Sequence, residues 1–226
     1  VAPAVVIGGG FEPVRLEIGI PWFVPPRPVR ISLFVGLAKP AAIEELVESC
    51  VQLGADRIGF FASSAPLATG RRGGPSDGGF NEREVLRLSR IARESCRVSK
   101  RPRFCEITYR AFEPAELMEQ AASQSCSIMV CDEAPLHSSE GSAASDGHAH
   151  LLGSVMGLDR KPGGVWIVIG PESGLSEEDK SQLARHAQLK GLTLEFVSLG
   201  SGILTVPNAA RSALAQVDAA LSLKKW

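Results

Sequence analysis

The sequence predicts an α/β domain built on a mainly parallel sheet. From Val29 onward, β-rich apolar runs alternate with stretches of helical spacing. Several of those runs, "CSIMVC" (126–131) and "VWIVI" (165–169) among them, are apolar on both faces. Strands covered by helices on both sides read as unbroken apolar runs, whereas a strand with one wet face alternates. The composition agrees, because 226 residues with 44% hydrophobic and 22% charged side chains can form a core without covalent staples.

Each element has its own local signal. Residues 1–28 are rich in Pro and Gly, with short strand-like pieces such as "VRLEIGI" (14–20), and read as an arm or the remnant of a small β module. "VRISLFVGL" (29–37) is a strand, and "PAAIEELVESCVQLG" (40–54) is a helix with apolar positions at Ile43, Leu46, Val47 and Cys50 and a stop at Gly54. "DRIGFFA" (56–62) is the next strand, and "SSAPLATGRRGGPSDGGF" (63–80) is loop. Asn81 is placed to cap a helix over 82–98; "RFCEITY" (103–109) is a strand, and 114–123 is a helix with Pro in its first turn. After the strand 126–131, residues 132–164 are too long for an ordinary connection and read as an insertion or lid. The strand 165–169 and the turn "GPESG" (170–174) lead to Ser176, which caps a helix over 177–190 with Asp179 three residues on. Gly191 ends that helix, "LTLEFVSL" (192–199) is a strand, and a last helix runs from Pro207 or Asn208 to about Leu223.

Several function classes are excluded on chemical grounds. The net charge of −1 gives no global basic field for nucleic acid, although "GRRGG" (70–74) and "CRVSKRPRF" (96–104) are local basic clusters that read first as solvated surface. The cysteines (50, 96, 105, 126 and 131) are odd in number and have no Cys-x-x-Cys spacing. Buried thiols in a reducing intracellular compartment, cytoplasmic or organellar with mitochondria included, are therefore expected, not a disulfide frame or zinc site. "DGHAH" places Asp146, His148 and His150 at alternating positions, but in a Ser/Gly/Ala-rich stretch that does not favour a metal, and none is assigned. No apolar run approaches the ~18 residues that span a bilayer, so no membrane partner is expected. The first residues lack a basic flank, a cleavage-site pattern and an initiator Met, as a trimmed chain would.

Known catalytic spacings also fail. The first long strand ends in "GLAKP" instead of Gly-x-Gly-x-x-Gly, and no Gly-Lys-Ser/Thr is present. "GPESG" has Glu172 where a nucleophile elbow needs Ser, and His186 falls mid-helix, where a surface position is expected. No catalytic residue is assigned. What remains are three strand ends, "VCDE" (130–133), "IGPESG" (169–174) and "LGSGIL" (199–204), which a parallel sheet would bring to one edge. Their glycines allow close backbone approach, and Ile203 and Leu204 offer an apolar wall. A flat heterocycle held by main-chain hydrogen bonds suits such a pocket better than a phosphate.

"IGPESGLSEED", followed by "VSLGSGIL" and an Ala-rich helix, resembles the RsmE family of small-subunit rRNA uridine-N3 methyltransferases, in the SPOUT superfamily. "LAKPAAIEELVESCVQLGADRI" (37–58), "RIARESCRVSKRP" (90–102) and "MVCDE" (129–133) resemble further segments of that family in the same order. The resemblance implies a trefoil-knotted SPOUT methyltransferase-like domain over 29–226 with an insertion at 134–164, acting as a homodimer. It implies S-adenosylmethionine as cofactor and ribosomal RNA or a ribosomal particle as partner. Gly170, Glu172, Gly174, Leu199, Gly200, Ile203 and Leu204 are the implied cofactor-loop positions.

The departures from the family bear on chemistry. Gly202 and the run Thr205-Val206-Pro207-Asn208 stand where the family has arginines and a glutamate. Ser173 replaces a glycine, Ser49 and Gln52 replace Lys and Glu, Ser95 replaces Gln, and "FASSA" lacks an Arg. Arginine forks position phosphates and carbonyls in a way that Ser, Gly or Thr cannot imitate. Two expectations follow: an RNA methyltransferase of the RsmE type, or a catalytically silent relative acting in ribosome association or assembly.

Overall fold

The structure is a computed structural model that describes residues 2, 4–6, 16–63, 79–132 and 149–224. A two-stranded antiparallel ribbon, β1 (Ala4–Val6) with β2 (Leu16–Ile18), precedes the main sheet. The sheet and its helices then follow in chain order. They are β3 (Arg30–Gly36), α1 (Pro40–Gln52), β4 (Arg57–Phe61), α2 (Glu82–Val98), β5 (Glu106–Phe112), α3 (Pro114–Ser123), β6 (Cys126–Cys131), β7 (Ala149–His150), α4 (Leu151–Met156), β8 (Gly164–Ile169), α5 (Glu177–Leu189), β9 (Leu194–Ser198) and α6 (Val206–Leu223). The seven strands lie in the order β5-β4-β3-β8-β6-β9-β7, and every pairing is parallel. β3, β6 and β8 form the centre, and the apolar run of each is buried on both faces.

The two faces form separate cores. Ile31, Leu33 and Val35 of β3 join Val165, Ile167 and Ile169 of β8 under α1, α2, α4 and α6. Phe34, Ile128, Val130, Trp166 and Val168 point the other way, onto Leu117, Met118 and Ala121 of α3 and Leu183 and Ala187 of α5. The period of 2 along each strand divides neighbouring side chains between the two cores. The predicted apolar positions of α1 are all buried. Both predicted caps form reciprocal boxes, Asn81 with Glu84 and Ser176 with Asp179, and each box satisfies two otherwise orphaned helix N–H groups.

Four elements differ from the sequence expectation. β5 starts at Glu106 and runs to Phe112, three residues later than the expected strand at 103–109. Its ends are set by its neighbour, since Arg57↔Glu106 and Phe61↔Phe112 are the outer pairs with β4. The residues before it are used otherwise: Arg101 donates from Nη1 to the Val51 and Ala55 carbonyls and from Nη2 to that of Gly54, closing the end of α1. Arg103 reaches the Val24 carbonyl, and Arg97 pairs with Glu94. The 96–104 cluster is thus partly structural instead of only solvated surface. Within 132–164, where no element is expected, the structure has β7 and the six-residue α4, which buries Leu151 and Val155 against α6. A single turn interrupted by Gly153 carries no periodicity to read, so packing decides it. The last helix starts at Val206, with Thr205 as N-cap and Pro207 inside its first turn.

"GRRGG", Asp146 and His148 lie outside the described residues; His150 is in β7 and exposed, and His186 is partly exposed. Among the described residues, no group of three His, Cys, Asp or Glu side chains is arranged to hold a metal. No described helix is long and apolar enough to cross a membrane.

All the cysteines are free and buried. Burial pushes the thiols of Cys50, Cys105 and Cys131 up from 9.0 to about 12. A raised thiol pKa means that the unfolded chain ionises first as pH rises. The contribution to stability is therefore complete below about pH 9 and declines as pH climbs toward 12. Denaturant unfolding at pH 10.5 is expected to give a stability lower than at pH 8 by on the order of 1 kcal/mol or more. Thiol reagents are expected to label the native protein slowly at pH 7 and the unfolded protein fast; equal labelling rates would contradict this burial.

Candidate functional site

Adjacent parallel strands end side by side, and the order β8-β6-β9 collects three strand ends at one edge. Around them lies a cavity of about 330 Å³, lined by Cys131 and Asp132 at the end of β6, by 169–172, 174 and 175 at and beyond the end of β8, and by 199–206 after β9. All seven positions singled out in the sequence, Gly170, Glu172, Gly174, Leu199, Gly200, Ile203 and Leu204, line this one cavity. The first turn of α6 also contributes, through Val206 and Ala209, with the N-cap Thr205 beside them. That contribution was not anticipated. The available signal was Pro207, which marks a helix start directly after the Gly-rich loop.

The first loop is held tightly by glycines. A Cβ on Gly170 would lie 2.8 Å from the Leu175 nitrogen and 2.9 Å from the Gly174 carbonyl carbon, so the turn closes only on a bare backbone. Gly174 has φ +77°, and its N–H donates to the Pro171 carbonyl at 2.9 Å. From behind, Gly36 at the end of β3 leaves room for Pro171, whose Cδ and N would both be 2.6 Å from an added Cβ. The Glu172 carboxylate accepts a hydrogen bond from the Lys39 N–H at 3.0 Å, tying the loop to the start of α1, where a negative charge is favoured by the helix dipole.

A buried carboxylate anchors the far side of the same loop. Asp179, 2% exposed, accepts from the Ser63 hydroxyl at 2.6 Å and from the Ser176 N–H at 3.1 Å. Ser63, two residues beyond β4, is thereby joined to the end of the cavity loop across 116 positions of sequence. The second loop turns at Gly200, φ +136°, whose N–H donates to Ser198 Oγ at 3.2 Å. Beyond it, Ile203 is 66% and Leu204 40% exposed at the cavity edge, large apolar side chains left open to whatever enters.

Among the described residues, two charged side chains line the cavity, Asp132 and Glu172, and both are acidic. Asp132 receives an ion pair from Lys180 Nζ at 2.6 Å, and Lys180 also reaches Glu177 at 3.0 Å. Burial pulls the Lys180 pKa down, but the hydrogen bonds to Asp132 and Glu177 outweigh it and hold the ammonium above its ordinary value. Cys131 is a protonated thiol at neutral pH and serves as apolar lining. Among the described lining residues there is no histidine, and they form no nucleophile–base pair of the hydrolase kind. Its chemistry is that of a glycine-cradled apolar slot with carboxylates.

Several solved structures of the same architecture are described as methyltransferases. A Legionella pneumophila protein assigned as a methyltransferase, in complex with SAM, superposes with a TM-score of 0.67 at 18% identity, covering 97% of this chain and 78% of that one. Ribosomal RNA small subunit methyltransferase E from Neisseria gonorrhoeae, bound to S-adenosyl methionine, gives 0.67 at 17% identity, covering 96% and 77%. A probable rRNA-methyltransferase from Porphyromonas gingivalis gives 0.64 at 18%, covering 98% and 80%. At these identities the likeness establishes the fold. No curated protein sequence matches the chain. The family model for the RNA methyltransferase domain, however, matches residues 25–218, a span that contains all seven strands of the sheet, both glycine-bearing cavity loops and most of α6. The chain belongs to the RNA methyltransferase domain family.

Proposed function

We propose that the cavity binds S-adenosylmethionine and that the protein methylates uridine N3 of ribosomal RNA, as the RsmE resemblance implies. The observation that carries this reading is the convergence of "GPESG" and "LGSGIL" on one cavity at the carboxyl edge of a parallel sheet. The residues present fit the cofactor. Glycines at 170, 174 and 200 let main-chain groups approach an adenine edge, and Leu199, Ile203 and Leu204 supply an apolar face. The SAM complexes of the Legionella and Neisseria proteins support it.

When bound, SAM supplies a methyl group on a positively charged sulfur; transfer to uridine N3 leaves a neutral thioether and releases the N3 proton. This chain's contribution is binding, orientation and exclusion of water. The Gly170–Ser176 loop, tied to α1 through Glu172 and to Ser63 through Asp179, is rigid enough to hold one pose. With Gly202 and Thr205 where the family has side chains that present substrate, contacts to the RNA must come from residues outside the cavity lining. We infer, on the same resemblance, a trefoil-knotted domain over 29–226 with an insertion at 134–164, preceded by an arm at 1–28. On that reading the protein works as a homodimer with a ribosomal particle as partner.

Calorimetric titration with SAM is expected to give saturable binding, and labelled methyl is expected to appear in small-subunit rRNA stripped of its own modification. Absence of heat up to millimolar SAM would overturn the reading. Binding without methyl incorporation would instead leave a silent, ribosome-associated relative.

A further inference from the structure

We propose that Asp132 makes the cavity selective for a cationic sulfonium ligand over the neutral thioether left after transfer, so that the product is released more readily than the cofactor. The inference rests on the cofactor reading above and adds the group that distinguishes the two ligands. Among the described residues the lining holds no cation, and its two charges are both carboxylates. They are not equivalent. Glu172 is exposed and engaged with the Lys39 N–H, so water screens it.

Asp132 is only 11% exposed at the end of central strand β6, and its backbone N–H donates to the Val197 carbonyl at 3.0 Å. Lys180, on α5 and outside the cavity lining, pairs with the carboxylate at 2.6 Å and holds it in place. The pair is a fixed dipole with its negative end contributing to the cavity wall. Apolar Ile169, Leu175 and Leu199 line the same cavity, and a charge beside apolar wall is screened less than one in open water. Two ligands of almost the same shape, one carrying a positive charge on sulfur and one without it, differ mainly in what such a dipole contributes.

The test uses three ligands on the whole protein: SAM, S-adenosylhomocysteine, and sinefungin, which carries an amine in place of the sulfonium. Wild type is expected to bind SAM and sinefungin roughly fivefold or more tightly than S-adenosylhomocysteine. Asp132→Asn is expected to bring all three within about twofold, by weakening the two cations and leaving the thioether unchanged. Lys180→Met, which removes the ammonium and retains the carboxylate, is expected to keep the preference. It also controls for damage to the fold, which a thermal melt checks in each variant. Equal affinities in wild type, or a preference that survives Asp132→Asn, would overturn the proposal while leaving cofactor binding intact. If none of the three ligands binds wild type, the cofactor reading itself falls and this inference falls with it.

Discussion

Trp166→Ala is expected to unfold on the order of 10 °C below wild type. Trp166 is 1% exposed in β8, the strand between β3 and β6. Its ring packs on Phe34 with centroids 4.3 Å apart, and the Arg57 guanidinium lies 5.9 Å from its face. Removing a buried aromatic of this size costs about 3–5 kcal/mol through lost transfer energy and the void left behind. In a chain of this length each kcal/mol moves the midpoint by roughly 2–4 °C. Arg57 adds to the loss. It is a buried cation held among Phe34, Phe112 and Trp166, with Nη2 donating to Thr108 and Gln120. Its Nε lies 3.5 Å from Glu106 Oε1, an ion-pair contact without hydrogen-bond geometry. Without the tryptophan face, that cation loses part of its compensation. A melting temperature within 2 °C of wild type would contradict this account of the core.

Gly36→Ala is expected to abolish ligand binding at the cavity, or weaken it by well over tenfold, and to cost about 1–3 kcal/mol of stability. Both atoms in the way, Cδ and N of Pro171, belong to a ring fused to the backbone and cannot rotate aside. The relief is a shift of the Gly170–Pro171 peptide, which is cavity wall. Gly174→Ala is the informative contrast. Nothing lies within 4 Å of a Cβ there, yet φ is +77°, so the penalty is conformational and about 1–2 kcal/mol, without a push on Pro171. Titration and denaturant unfolding of the two variants separate a displaced wall from a strained turn. Equal ligand affinity in Gly36→Ala and wild type would show that the β3 end does not set the loop position.

Much of this is legible in the sequence. The runs at 126–131 and 165–169 announced central strands, because a residue buried on either face must be apolar. Asn81 and Ser176 announced helix starts through side chains acting within three residues. α4 was not legible, since six residues around Gly153 have no period of their own and the helix exists because Leu151 and Val155 find α6. β5 was displaced for a related reason: its ends follow the ladder with β4 more than its own composition.

The candidate site divides along the same line. Glycines at 170, 174 and 200 stand out in the sequence because they cluster at strand ends, and Ile203 and Leu204 because a loop without charge is unusual. That "IGPESG" and "LGSGIL" share one cavity with Asp132 depends on β6 lying between β8 and β9, a matter of strand order. The Ser63–Asp179 bond, the Lys39–Glu172 bond and the seat of Pro171 on Gly36 join residues more than a hundred positions apart. By itself, then, the sequence determined the α/β class, the helix caps and the loops suited to a heterocycle, because those depend on interactions a few residues long. Only the tertiary structure decided which loops meet, what holds them, and that among the described residues the charges lining the cavity are acidic. Those are properties of distant segments packed together, and no local pattern carries them.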